Sequence, residues 1–375
     1  MSETMVMDGP TDMKEVLENR ITKKIKEAEA RSSGVLDTIR NEGKLLTDMV
    51  PVLGENGHLS FEANGTVKMA INSKGEITQY EMHPHSVVQA GEKLGIPSGY
   101  IRNLVAGNEP WQRELAARTL NEHASHSKRQ KVLVRAVGTQ VRAVLSDVYR
   151  RLDSGLIYES FLKAVAIEGG QVIDAWADET RSAIEVIRPN LIPIPTERNG
   201  LRYVAFGIRI NTSDFGDGAL ELRSFLMEGI CLNGAVAETM LRQIHSGSRI
   251  DPNLKLSERT YRLDTQTQAS AIRDYVGQLF SKERVIELGR GIQAASAKVV
   301  DMTAEVKRLP KLGLTKGEAD AVDAVLKQND PADGLEGEGT LYKLTQGITA
   351  VARKAEARRK RELAEIAGAL MLSKN

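Results

Sequence analysis

Aromatic residues are scarce in this 375-residue chain: six Phe, eight Tyr and two Trp, or 4% of the sequence. So few rings count against a surface that holds nucleobases on many stacked aromatics. Cysteine is scarcer still. The single thiol, Cys231, excludes an intramolecular disulfide and fits a reducing compartment. It sits in GICLNG with no histidine beside it in sequence, so a buried structural thiol is expected rather than a nucleophile. No run approaches the roughly 20 apolar residues that span a bilayer. The start, MSETMVMDGPTD, lacks the basic and apolar regions of a signal peptide, and a cytoplasmic protein is expected. Net charge is also missing. Lys plus Arg (51) and Asp plus Glu (50) cancel to +1, so a site for a polyanion has to come from segregated charge.

Several chemical signatures are absent as well. No Gly-x4-Gly-Lys-Ser/Thr loop occurs, and Gly289 and Gly291 fall in a helical pattern with no strand before it, so no nucleotide cofactor is expected. Among six histidines the close pairs are His83 with His85, and His123 with His126 in NEHASH. The second pair has metal-ligand spacing, but no cysteine or carboxylate cluster completes it; a solvent-facing helix end is expected and no metal. Asp174, Asp178, Glu179, Asp214 and Asp217 could be gathered into a divalent-metal nuclease site. They fall on expected turns, where turn chemistry accounts for each. An enzyme is therefore the weaker expectation.

What the chain does have is a segregated basic hairpin. Residues 127–153, SKRQKVLVRAVGTQVRAVLSDVYRRLD, read as two β-branched runs (132–137 and 141–145) joined across Gly138, Thr139 and Gln140. Seven cations, Lys128, Arg129, Lys131, Arg135, Arg142, Arg150 and Arg151, stand there against Asp147 and, at the very end, Asp153. Strand alternation puts Leu133, Arg135 and Val137 on one face and Val132, Val134 and Ala136 on the other. One face is then half apolar and half cationic, suited to an anion such as a phosphate backbone. The competing reading is that these arginines lay their stems on a sheet and keep their heads in water or in ion pairs.

Around the hairpin the chain is long enough for two or three substructures. Residues 11–46 have helical spacing (Met13, Val16, Leu17, Ile21, Ile25), either as a docking arm for another subunit or as a helix laid on its own core. Residues 58–80 alternate around turn signals at Asn64-Gly65 and 72–75, a small β-meander. Helices follow over 86–106, broken at Gly95-Ile96-Pro97, and from about Glu109. Past the hairpin come a helix over 155–167 and strands over 171–176, 182–187, 202–211 and 219–230. From Ala235 onward the pattern reads helical, with 283–309 and 340–372 each as one helix and a capping box at Thr315 to Glu318. In the last helix Arg353, Lys354, Arg358, Arg359, Lys360 and Arg361 form a second basic cluster, with Glu356 and Glu362 in helical reach. The expected class is α+β: a central antiparallel sheet of basic hairpin, helix and meander, flanked by helices, with a mostly helical C-terminal third. The expected divisions are a helical arm (1–50), a meander with short helices (51–126), the central core (127–235) and a helical region (236–375).

Four segments carry a resemblance. LGIPSGYIRNL (94–104), VRAVLSDVYRRLDS (141–154), GIRINTSDFGDGALELRSFLMEGICLNGAV (207–236) and GTLYKLTQGITAVARKAEARRKRELAEIAG (339–368) together resemble the phage and plasmid family called domain of unknown function 932, over roughly residues 85–372. Leu232 stands where a small polar residue is expected. The family has no established activity, so the resemblance implies a mobile-element setting. With the basic hairpin, it leads to the expectation of an ATP-independent, homo-oligomeric single-stranded DNA-binding and annealing protein in the host cytoplasm, without cofactor. The alternatives are a non-enzymatic interaction or structural protein of a mobile element and, less favoured, a metal-dependent nuclease.

Overall fold

The computed structural model describes residues 10–73, 75–152, 154–228, 234–243, 257–329, 335 and 337–372, with backbone alone at 10–13, 30, 234–243 and 258. The chain opens with α1 (Pro10–Leu45) and then builds a first sheet from β1 (Leu46–Met49), β2 (Val52–Leu53), β3 (Leu59–Asn64), β4 (Thr66–Ser73) and β5 (Glu76–Met82). Three helices follow, α2 (Pro84–Lys93), α3 (Ser98–Ala106) and α4 (Pro110–His126), before the basic hairpin, β6 (Gln130–Val137) and β7 (Gln140–Ser146), completes that sheet. The order is β1-β6-β7-β5-β4-β3, with β2 beside β6. All pairs are antiparallel except β5 with β7, where Glu81 and Met82 lie parallel to Gln140 and Val141. One face, carrying Phe61, Met69, Val132, Val134, Ala136 and Val144, is covered by α2 to α4. At the outer edge, Asn121 of α4 accepts the Phe61 N–H (2.8 Å) and donates to the Phe61 carbonyl (2.6 Å). Its amide occupies the place of a further strand and blunts the edge.

The second half begins with α5 (Ser154–Ile167) and a second sheet: β8 (Gln171–Ala177), β9 (Ser182–Ile187), β10 (Ile192–Pro195), β11 (Leu201–Thr212), β12 (Leu220–Glu228) and β13 (Gly234–Gln243). Its order is β13-β12-β11-β9-β8, with β10 beside β11. Alternation along β11 sends Val204, Phe206, Ile208 and Ile210 into the largest core. That core is closed by α5, α6 (Glu258–Leu279), α7 (Lys282–Ala297), α9 (Lys316–Gln328), α10 (Leu341–Ala352) and α11 (Ala357–Leu372), with short α8 (Met302–Arg308) between α7 and α9. Tyr203 and Ala205 face the other way and meet Leu17, Ile21 and Ile25 of α1. Of the two readings of the N-terminal helix, the fold takes the second: α1 lies on its own core.

The fold is α+β, with strands throughout the middle of the chain and helices filling most of the last third. Four details differ from the sequence reading. The hairpin does not share a sheet with the later strands over 171–228, which it was expected to join. β6 and β7 find their partners upstream, in β1 and β5; periodicity defines a strand's faces but not its neighbour. Residues 234–243 form β13 rather than a helix, because the free edge of β12 offers a ladder that outweighs local propensity. The expected helix 283–309 breaks after Ala297. Val299 bridges Thr340, and Asp301 restarts the helix by accepting from Thr303 N (2.9 Å) and Ala304 N (3.1 Å). The expected helix 340–372 breaks between Ala352 and Ala357. The capping box at Thr315 and Glu318 forms as read. Cys231 lies outside the described residues.

Candidate nucleic-acid interface

The hairpin has the faces its alternation requires. Val132, Val134 and Ala136 enter the core under α2 to α4, while Leu133 and Val137 join Ala143, Leu145 and Phe215 on the opposite side. Arg135 lies with the second group and is 4% exposed. That opposite side is no open groove; it is the joint between the two halves of the chain.

Four of the seven hairpin cations are committed there. Asp48 of β1 stands directly across the ladder from Arg135, and its Oδ1 accepts from Arg135 Nε at 2.8 Å. Arg135 Nη1 also donates to the Asp214 carbonyl of the second half (2.5 Å). The second Asp48 oxygen lies 3.1 Å from Arg151 Nη1, and the Arg151 guanidinium sits 4.6 Å from the centre of the Tyr261 ring on α6. A register shift, with Ala136 facing Val141 and Arg135 facing Ala143, leaves Arg142 as an extra residue on β7. The bulge re-aims Arg142 over Phe215, with Glu42 of α1 at 2.9 Å and the Glu179 carbonyl at 3.2 Å. Arg150 makes a bidentate pair with Asp264 of α6, its Nε donating at 2.6 Å. That hydrogen bonding holds the Arg150 guanidinium more firmly protonated than usual. Arg135, Arg142, Arg150 and Arg151 thus form a clamp that ties the hairpin to Asp48, Glu42 and Asp264. Their partners lie on elements remote in sequence, where a count of acids within the hairpin does not reach.

The other three cations are placed differently. Lys128, Arg129 and Lys131 are exposed at the start of β6. This lead-in is anchored through its backbone: Glu55 N–H donates to the Ser127 carbonyl (3.0 Å), and the Gln130 amide donates to the carbonyl of Lys93 (2.6 Å). Gly54, at φ 113°, packs so closely that a Cβ there would lie 2.6 Å from the Lys128 carbonyl. The bond from Gln130 ties the backbone of Lys93, at the end of α2, to the start of β6. Sequence reasoning missed Lys93, since only the fold closes the interval between the two segments.

The C-terminal basic cluster is also largely spent on cross-element pairs. Arg358 meets Asp217 (3.1 Å), Arg359 meets Glu318 (2.7 Å) and Glu362 (2.6 Å), and Arg361 reaches Asp174 (3.4 Å) and Glu185 (3.6 Å). Hydrogen bonds from Arg359 hold the Glu318 carboxyl down to about 2. Burial raises the pKa of Glu185, yet Arg209 and Arg361 outweigh it and keep the carboxyl below its ordinary range. The candidate nuclease acids have structural partners too. Asp178 accepts from Thr180 N and Arg181 N, both at 2.8 Å, and Asp217 accepts from the Thr180 hydroxyl at 2.7 Å. His126, half of the spaced histidine pair, faces Glu122 at the exposed end of α4 (3.4 Å). A cavity of about 40 Å³ sits in the joint, lined by Glu42, Asp178, Arg181 and Asp214 among others, which is room for a few waters.

No protein-family model, curated protein or solved structure matches this chain.

Proposed function

We propose that the chain is a non-enzymatic protein that binds single-stranded DNA through its phosphates, in the manner of a phage or plasmid annealing protein. The contact surface is the lead-in of the hairpin, Lys128, Arg129 and Lys131, with Lys93 tied to it through its backbone. The observation that supports this reading is a grouping of exposed cations on a backbone fixed from two sides by Gln130 and Glu55. A cationic ridge of this kind holds the phosphates and leaves base edges free to pair, so annealing proceeds without ATP, and self-association supplies the length of a continuous site. The resemblance to a mobile-element family agrees with this role.

A second reading, an interaction or structural protein, is favoured by a different observation: the arginines of both basic clusters are largely taken up by internal ion pairs. Titration of a fluorescent oligothymidine at several salt concentrations separates the two. Lys128→Ala, Arg129→Ala and Lys131→Ala combined should weaken binding and flatten the salt slope by about two units, from roughly 0.7 per phosphate contact on single strands. Absence of binding by the unaltered protein, or an unchanged slope in the variant, rejects the single-strand reading of this surface.

A further inference from the structure

His83 and His85 stand where the first sheet meets the turns of the second. His83 precedes α2 and caps it: its Nδ1 accepts the backbone N–H of His85 at 3.2 Å. In the neutral ring that bond places the proton on Nε2, which lies 3.5 Å from Glu179 Oε2 on the turn between β8 and β9. His85 Nε2–H donates to the Phe215 carbonyl at 3.1 Å, and the Gln89 amide donates to the same carbonyl at 3.0 Å. The loop before β12 is thereby hung from α2. The charged groups facing His83 come from three elements: Glu179 and Asp178 on the turn, Arg142 on β7 and His85 on α2. His85 has Asp217 nearby, which is itself bound to Thr180 and Arg358.

We propose that these two histidines form a pH-sensitive latch between the sheets, closed while the imidazoles are neutral and released when His83 takes up a proton. A protonated ring carries N–H on both nitrogens. Nδ1–H would then point at the His85 backbone N–H, donor against donor, and the helix would lose its cap. Arg142 adds like charge. Glu179 favours the imidazolium, but its side chain is 60% exposed and its attraction is screened. Burial, reinforced by His85 and Arg142, lowers the His83 pKa from the usual 6.5 against the opposing pull of Glu179 and Asp178. The opened chain therefore binds the proton more readily than the closed one. The latch is fully closed above about pH 6.5 and weakens as pH falls through the depressed value.

Hydrogen exchange of the 178–181 turn and the 213–217 loop, corrected for the chemical rate, tests this between pH 7.5 and 5.0. Protection in both segments should fall about tenfold per unit of depression in the His83 pKa, with α9 and α10 unchanged. In His83→Asn the side-chain oxygen still caps α2 and does not titrate, so the pH dependence should disappear. The same fall in His83→Asn overturns the latch. Should that variant not fold, Glu179→Gln serves instead: it removes a group that favours the imidazolium, and the acid loss should steepen. An unchanged profile in Glu179→Gln likewise overturns the proposal.

Discussion

Asp48 and Arg135 face each other across β1 and β6, and the second oxygen of that carboxylate reaches Arg151 beyond the end of β7. One acid thus holds two cations, one buried within the sheet and one stacked on α6. Asp48→Ala would take a carboxylate from both arginines, one of which, Arg135, has a side chain only 4% exposed. The expected cost is about 3 kcal/mol, with Asp48→Asn less damaging because one hydrogen-bond acceptor remains. Urea unfolding of the two variants checks this, and a loss below about 1 kcal/mol in Asp48→Ala would show that the pair is a surface pair in energetic terms.

The edge of the first sheet gives a separate expectation. Asn121→Ala removes both hydrogen bonds to Phe61 and exposes the N–H and carbonyl of an edge strand. Stability should drop by about 1–2 kcal/mol, and β3 should become a template for pairing with a second chain. Light scattering at rising concentration should show association in the variant beyond that of the unaltered protein; equal masses at every concentration would show that α4 itself covers the edge.

Gly54 tests the anchoring of the cationic lead-in. Its φ of 113° and the 2.6 Å approach to the Lys128 carbonyl leave no room for a methyl group. Gly54→Ala should displace residues 127–129, cost about 1–3 kcal/mol, and weaken oligonucleotide binding several-fold while leaving α9 to α11 intact by hydrogen exchange. Unaltered binding would place the phosphate contacts elsewhere.

The hairpin shows how far the residues alone could be read. Alternation from Val132 to Val137 assigned every side chain to its observed face, because strand period is a local property. The destination of Arg135, Arg142 and Arg150 was not local: Asp48, Glu42 and Asp264 are brought to them by β1, α1 and α6. The same limit explains β13. Its residues read as helical, and pairing with the open edge of β12 overrode that pattern. Turn chemistry fared better. Asp178 bonds its own turn, accepting from Thr180 N and Arg181 N, since an Asx turn is encoded within a few residues; Asp217 instead bonds Thr180 on a remote turn.

The measurement closest to the central claim, that the hairpin divides into a structural clamp and an exposed phosphate-binding lead-in, is a paired comparison of melting temperature and salt slope. Arg150→Ala with Arg151→Ala breaks the links to Asp264, Asp48 and Tyr261. This variant should melt roughly 3–5 °C lower with its salt slope for oligothymidine unchanged. A flattened slope with an unchanged melting temperature would contradict the clamp and return these two arginines to the phosphate-binding face.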